Sequence, residues 1–173
     1  MEMPCSYSRL QIVLHWLSAA VILWALVTGS LLSVVDVDDA FKSSVASFNV
    51  SLTSLFIPLF ILRAWLAFSP SPGGRTFAAS PSQRLARIAH CAIYVLTAVV
   101  LLTGVLMMKE PADVFGLVRF GPVLTQPELH EWFTRLHIGS CIALAALLAL
   151  HTAAVIKHQM SGNPVLKRMW FEQ

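Results

Sequence analysis

Apolar residues in this chain gather into four long stretches, at about residues 10–35, 44–68, 85–108 and 132–157. Each exceeds the roughly 20 residues needed to cross a hydrocarbon core about 30 Å thick. Lipid offers the backbone no water, so each stretch must close its hydrogen bonds internally as an α-helix. The pattern predicts an all-α fold, a membrane-embedded four-helix bundle forming one transmembrane domain over residues 1–173. Polar breaks separate the spans. The sharpest is Ser69-Pro70-Ser71-Pro72-Gly73-Gly74-Arg75, whose prolines and glycines cannot continue a helix. Pro111 to Pro127 form the longest remaining connection and show no periodicity. Pro58 falls inside the second stretch, where its missing N–H predicts a bend.

Composition agrees with a bilayer. Hydrophobic residues make up 57% of the chain and charged residues 12%, against roughly 25% charged in soluble domains. The charges are sorted by loop. Arg9 precedes the first span, Arg63 ends the second, Arg75, Arg84 and Arg87 surround the second connection, and Lys157, Lys167 and Arg168 follow the fourth. The first connection instead carries Asp36, Asp38 and Asp39 against Lys42. Lysines and arginines in short loops stay on the cytoplasmic side, which predicts that both termini and the second connection are cytoplasmic. A net charge of +3 suits anchoring to an anionic leaflet and excludes a nucleic-acid footprint. The first span is longer than the apolar core of a cleavable signal and contains His15 and Trp16, so it is expected to be retained.

Histidines carry the candidate chemistry. His15, His90, His137 and His151 all fall within predicted spans, where ionisable groups are costly and are read as functional by default. His137 and His151 are fourteen residues apart, which is about 21 Å along a helix and within roughly 40° of the same face. One helix therefore offers imidazoles at two depths, an arrangement suited to two stacked haems. His15 and His151 share the inner depth and can meet across one iron. His137 lies near the outer end, where the second helix offers Asn49, a poor iron ligand. His90 belongs with the inner group and is expected to contact a haem propionate or a quinone. The cysteines, Cys5, Cys91 and Cys141, are odd in number and include no C-x-x-C-H attachment site, so any haem is non-covalent b-type.

These features together resemble the bacterial cytochrome b561 family of four-helix, di-haem, quinol-linked cytochromes. The resemblance rests on Arg9-Leu10-Gln11-Ile12-Val13-Leu14-His15-Trp16, on Arg63, on His90-Cys91-Ala92-Ile93-Tyr94-Val95-Leu96, and on Thr103-Gly104-Val105-Leu106-Met107. His137, His151-Thr152-Ala153-Ala154, His158 and Leu166-Lys167-Arg168-Met169 complete it. The family implies an inner haem on His15 and His151, and an outer haem on His137 and the position of Asn49. Asn49 stands in Phe48-Asn49-Val50-Ser51 where the family has histidine. One firmly held haem b is therefore expected, with the outer site altered: empty, held by His137 alone, or completed from elsewhere, such as by His130.

The implied function is electron transfer in a bacterial inner membrane between a membrane quinone, such as ubiquinone, and a periplasmic-side partner, either superoxide or a redox protein. Arg9, Arg63 and Arg87 are candidates to neutralise haem propionates. The chain could equally be the haem subunit of a larger complex. A competing class is a haem-free transporter or assembly factor using the histidines as proton or metal relays. The absence of an inverted repeat argues against it. Haem bands in an absorption spectrum separate the two.

Overall fold

A computed structural model describes residues 8–69 and 81–162. Four helices dominate it: α1 (Arg9–Val34), α2 (Asp39–Phe68), α3 (Pro81–Leu106) and α4 (Pro127–Met160). All four are long and apolar enough to cross a membrane. Arg75, Lys167, Arg168, Cys5 and the Leu166–Met169 motif lie outside the described residues.

Helix ends explain where the spans outrun the apolar pattern. Ser8 caps α1 through a reciprocal box, its hydroxyl accepting from Gln11 N at 3.2 Å while Gln11 Oε1 accepts from Ser8 N at 2.9 Å. Asp38 accepts from Phe41 N at 2.8 Å and starts α2 at Asp39, five residues ahead of the hydropathic onset near residue 44. Pro127 occupies the first turn of α4, where a missing N–H costs nothing. That helix gains a polar turn containing Glu128, His130 and Glu131 ahead of its apolar run.

The connection after α3 is not the featureless loop that its sequence predicts. Ala112–Val114 (β1) pairs antiparallel with Val118–Phe120 (β2), with Asp113 opposite Arg119. Phe115 (φ 50°) and Gly116 (φ 72°) turn the chain, and Leu117 N donates back to Val114 O at 2.9 Å. Left-handed φ at both central residues matches the twist of a tight hairpin. Gly116 accommodates this freely. The hairpin docks on α2, where the Ser51 hydroxyl donates to Asp113 O at 2.8 Å.

Packing runs in sequence order, α1 on α2, α2 on α3 and α3 on α4. Val21, Phe56 and Phe60 form the central apolar cluster, joined by Tyr94 and Leu101 from α3. An apolar groove of about 630 Å³ separates α1 from α4. Alternating helices bring the start of α1 and α3 to the same end as the finish of α2 and α4. We call this the inner end.

Candidate functional site

The inner end collects four of the sequence-predicted residues. His15 sits about 9 Å up α1 by helical rise, and Arg63 lies near the end of α2. Arg63 Nη2 is 3.0 Å from His15 Nδ1. A guanidinium only donates, so this contact makes Nδ1 the acceptor and places the His15 proton on Nε2. Arg63 also lies over the Tyr94 ring, 5.3 Å from its centroid, a cation–π contact with α3. His90 and His151 face each other across the α3–α4 interface with ring centroids 5.2 Å apart. His151 and His90 are both within electrostatic reach of His15. Three imidazoles from three helices and a cation from the fourth thus converge at one depth. Among the described residues, neither His90 nor His151 spends a ring nitrogen on a protein hydrogen bond.

This donor set fits a haem. Neutral imidazole nitrogens are the usual haem-iron ligands, and a guanidinium matches a carboxylate in geometry and charge. His15 and His151 could supply the ligands, with Arg63 and His90 left to meet propionates. Binding iron through Nε2 would require the His15 proton to move to Nδ1, and Arg63 would then release that nitrogen. The closest ring pair, however, is His90 with His151 and not His15 with His151, a proximity that spacing along the sequence did not bring out.

The outer half is built differently. His137 turns toward α3, its Nδ1 lying 3.1 Å from Thr103 Oγ1 and 3.2 Å from Val100 O. Thr103 spends its own proton on Val99 O at 2.7 Å, so both oxygens accept and Nδ1 carries the hydrogen. Nε2 faces Cys141 Sγ at 3.5 Å, one turn deeper on α4. Gly104 lies beside the ring, where a Cβ would come into ordinary van der Waals contact with the imidazole Cε1 at 3.4 Å.

Asn49 faces the other way, toward α1. The Trp24 indole donates to its Oδ1 at 3.0 Å, which fixes the amide orientation, and its Nδ2 donates to Thr28 Oγ1 at 2.8 Å. Thr28 in turn donates to Trp24 O at 2.8 Å. An aromatic chain closes over this triad, from Trp24 to Phe48 and from Phe48 to Phe115 on the hairpin, with ring centroids 5.8 Å apart at each step. His130 is buried, and its Nε2 donates to Leu124 O at 2.7 Å. It is tied to its own loop and not directed at His137. Glu131 pairs with Arg135 at 2.6 Å. His158 is exposed at the inner end of α4.

From sequence, Trp24 suits an interfacial belt or packing on a flat cofactor, and Thr28 has no assigned role. The signal was present in the spacing, because Trp24 and Thr28 are four apart and share a helix face. Thr103 likewise has no role assigned from sequence as a partner for His137.

A family model described as prokaryotic cytochrome b561 matches residues 6–172. A relative, cytochrome b561 homolog 2 of Escherichia coli (strain K12), is 26% identical over 173 residues, an alignment covering 96% of this chain and 92% of that protein.

Proposed function

The chain belongs to the prokaryotic cytochrome b561 family, a multi-pass membrane haem b cytochrome of electron transfer, and we propose that its haem sits at the inner end between His15 and His151. The observation that carries this reading is the convergence of His15, His90, His151 and Arg63 at one depth. A haem held by two imidazoles exchanges single electrons without opening a coordination position. The protein's part is to hold the ligands, neutralise the propionates through Arg63 and keep the macrocycle away from water. His90 binds a propionate or the head group of a membrane quinone such as ubiquinone, and the second partner is a redox-active species in the aqueous phase. A quinone needs two electrons and two protons to become a quinol, so two single-electron events accompany each turnover. A histidine at the inner rim is suited to relay those protons.

The test is spectroscopic. Reduced-minus-oxidised spectra of the purified chain are expected to show low-spin b-type bands, lost in His15→Ala and in His151→Ala. His90→Ala is expected to keep the haem and slow its reduction by quinol. Retention of a bis-imidazole spectrum in both ligand variants would overturn the ligand assignment.

A further inference from the structure

We infer that the outer half of this bundle is a hydrogen-bonded clamp in place of a second haem site, and that electrons therefore enter and leave the chain at its inner end alone. The inference rests on the inner haem proposed above.

Two partners at a common depth would be needed to hold an outer iron between imidazoles. Donation from Nδ1–H leaves the His137 Nε2 lone pair available to a metal, but the described residues offer no second imidazole at its depth. Nδ1–H is shared between Val100 O and Thr103 Oγ1, and Nε2 faces the Cys141 thiol. Asn49 is committed within the α1–α2 pair, its oxygen to Trp24 and its amide nitrogen to Thr28. His130 lies seven residues outward on α4, about 10 Å away by helical rise, and is bonded to Leu124 O. The contrast with the inner end is chemical. There, His90 and His151 come from different helices and have ring nitrogens free of protein hydrogen bonds, whereas here the Asn49 amide is bonded to Trp24 and Thr28, and His130, whose Nδ1 is buried without a partner, is held by Leu124 O.

The hairpin reinforces the point. Ser51, half a turn from Asn49 on α2, anchors Asp113 O, and Phe115 reaches Phe48 above the triad. The outer ends of α1 and α2 are thus closed by hydrogen bonds and edge-to-face rings. For Asn49 to turn toward His137, its contacts with Trp24 and Thr28 would have to break together.

Electron exchange weakens steeply with distance. Fourteen residues separate His151 from His137, about 21 Å of helix, and no second redox centre bridges them in this reading. The quinone and its aqueous counterpart then meet the chain at the end that carries Arg9 and His158.

Two measurements test this. Pyridine haemochrome analysis of the full-length purified chain should give one haem per chain, unchanged in His137→Ala and in Asn49→Ala. Two haems per wild-type chain, or a haem lost in His137→Ala, would overturn the clamp while leaving the inner site standing. No haem at all would overturn the inner site and this inference together. Should either variant fail to fold, the wild-type count still decides. For sidedness, the reduced chain is placed in liposomes and its orientation scored by access to a C-terminal epitope. Membrane-impermeant ferricyanide added outside should oxidise, one electron per haem, the fraction with the epitope outside. Equally rapid oxidation of chains with the epitope inside would refute the one-ended path.

Discussion

Replacing Asn49 with leucine should destabilise the protein without altering its haem, and the size of the effect follows from two hydrogen bonds. Asn49 accepts from Trp24 Nε1 at 3.0 Å and donates to Thr28 Oγ1 at 2.8 Å. Interhelical hydrogen bonds in membrane proteins average about 0.6 kcal/mol and reach about 1.7. Losing both costs about 1–2 kcal/mol, with the unpaired indole N–H favouring the upper part of that range. For a chain of this length about 1 kcal/mol corresponds to roughly 2–4 °C in Tm, so Asn49→Leu should melt about 2–8 °C lower. Thr28→Val removes one bond and should cost about half as much. The two changes share a bond, so their costs should not add. A double-mutant cycle should return a coupling of about 0.6 kcal/mol. The assay is thermal unfolding of the haem-loaded protein in detergent, followed by helical circular dichroism with the haem bands recorded in parallel. Fully additive costs would show that Asn49 and Thr28 do not interact. A loss of haem alongside the loss of stability would show that Asn49 lies in a cofactor site.

Arg63→Ala should lower the midpoint potential of the haem, because a nearby cation stabilises the ferrous form relative to the ferric. A unit charge about 10 Å away at an effective dielectric of about 20 contributes about 1.7 kcal/mol, or roughly 70 mV for one electron; Arg63→Lys should recover most of it, and an unchanged potential in potentiometric titration would remove Arg63 from the site. On the hairpin, the Arg119 side chain and then the Gly116 N–H hold the Asp113 carboxyl below the usual carboxylate range. Its folded value is depressed, so the stabilisation is present above the ordinary carboxylate range and is lost as pH falls through the depressed value. The protection of the Gly116 amide, measured against the intrinsic exchange rate at each pH, should fall on acidification through that range, and in Arg119→Ala it should be lower than the parent's at neutral pH; a profile identical to the parent's would show the ion pair to be inert. Gly116→Val places a β-branched residue at φ 72° and should cost the hairpin about 1–2 kcal/mol, seen as faster exchange there with the spans unaffected.

The spans were legible because lipid imposes one solution on any long apolar stretch, and the charge pattern and family motifs agreed with it. What the apolar pattern missed was polar. The starts of α2 and α4 depend on Asp38 and Pro127, whose effects are local hydrogen bonding and fixed φ, and a hydropathy window averages both away. The hairpin escaped notice for a related reason. Its strands are three residues each, too short for alternation to show, and it depends on Ser51 from a distant helix.

The site divides along the same line. Depth along a helix is readable from numbering, so grouping His15, His90, His151 and Arg63 at one end needed only the helical rise. Rotation about each helix axis is not readable in that way, because it depends on what the neighbouring helices offer. His137 and Asn49 share a depth in the sequence, yet the structure turns one toward α3 and the other toward α1. Val100 O and Thr103 give the imidazole two acceptors on α3, and Trp24 supplies a donor that the Asn49 amide oxygen can accept. Neither helix needs the other to satisfy its polar group. A neutral imidazole at position 49 also has one donor and one acceptor, but its two nitrogens point to opposite sides of a rigid ring, whereas the amide presents oxygen and nitrogen side by side to Trp24 and Thr28. The amide at position 49 therefore ties α2 to α1 by matching the donor and acceptor that Trp24 and Thr28 present.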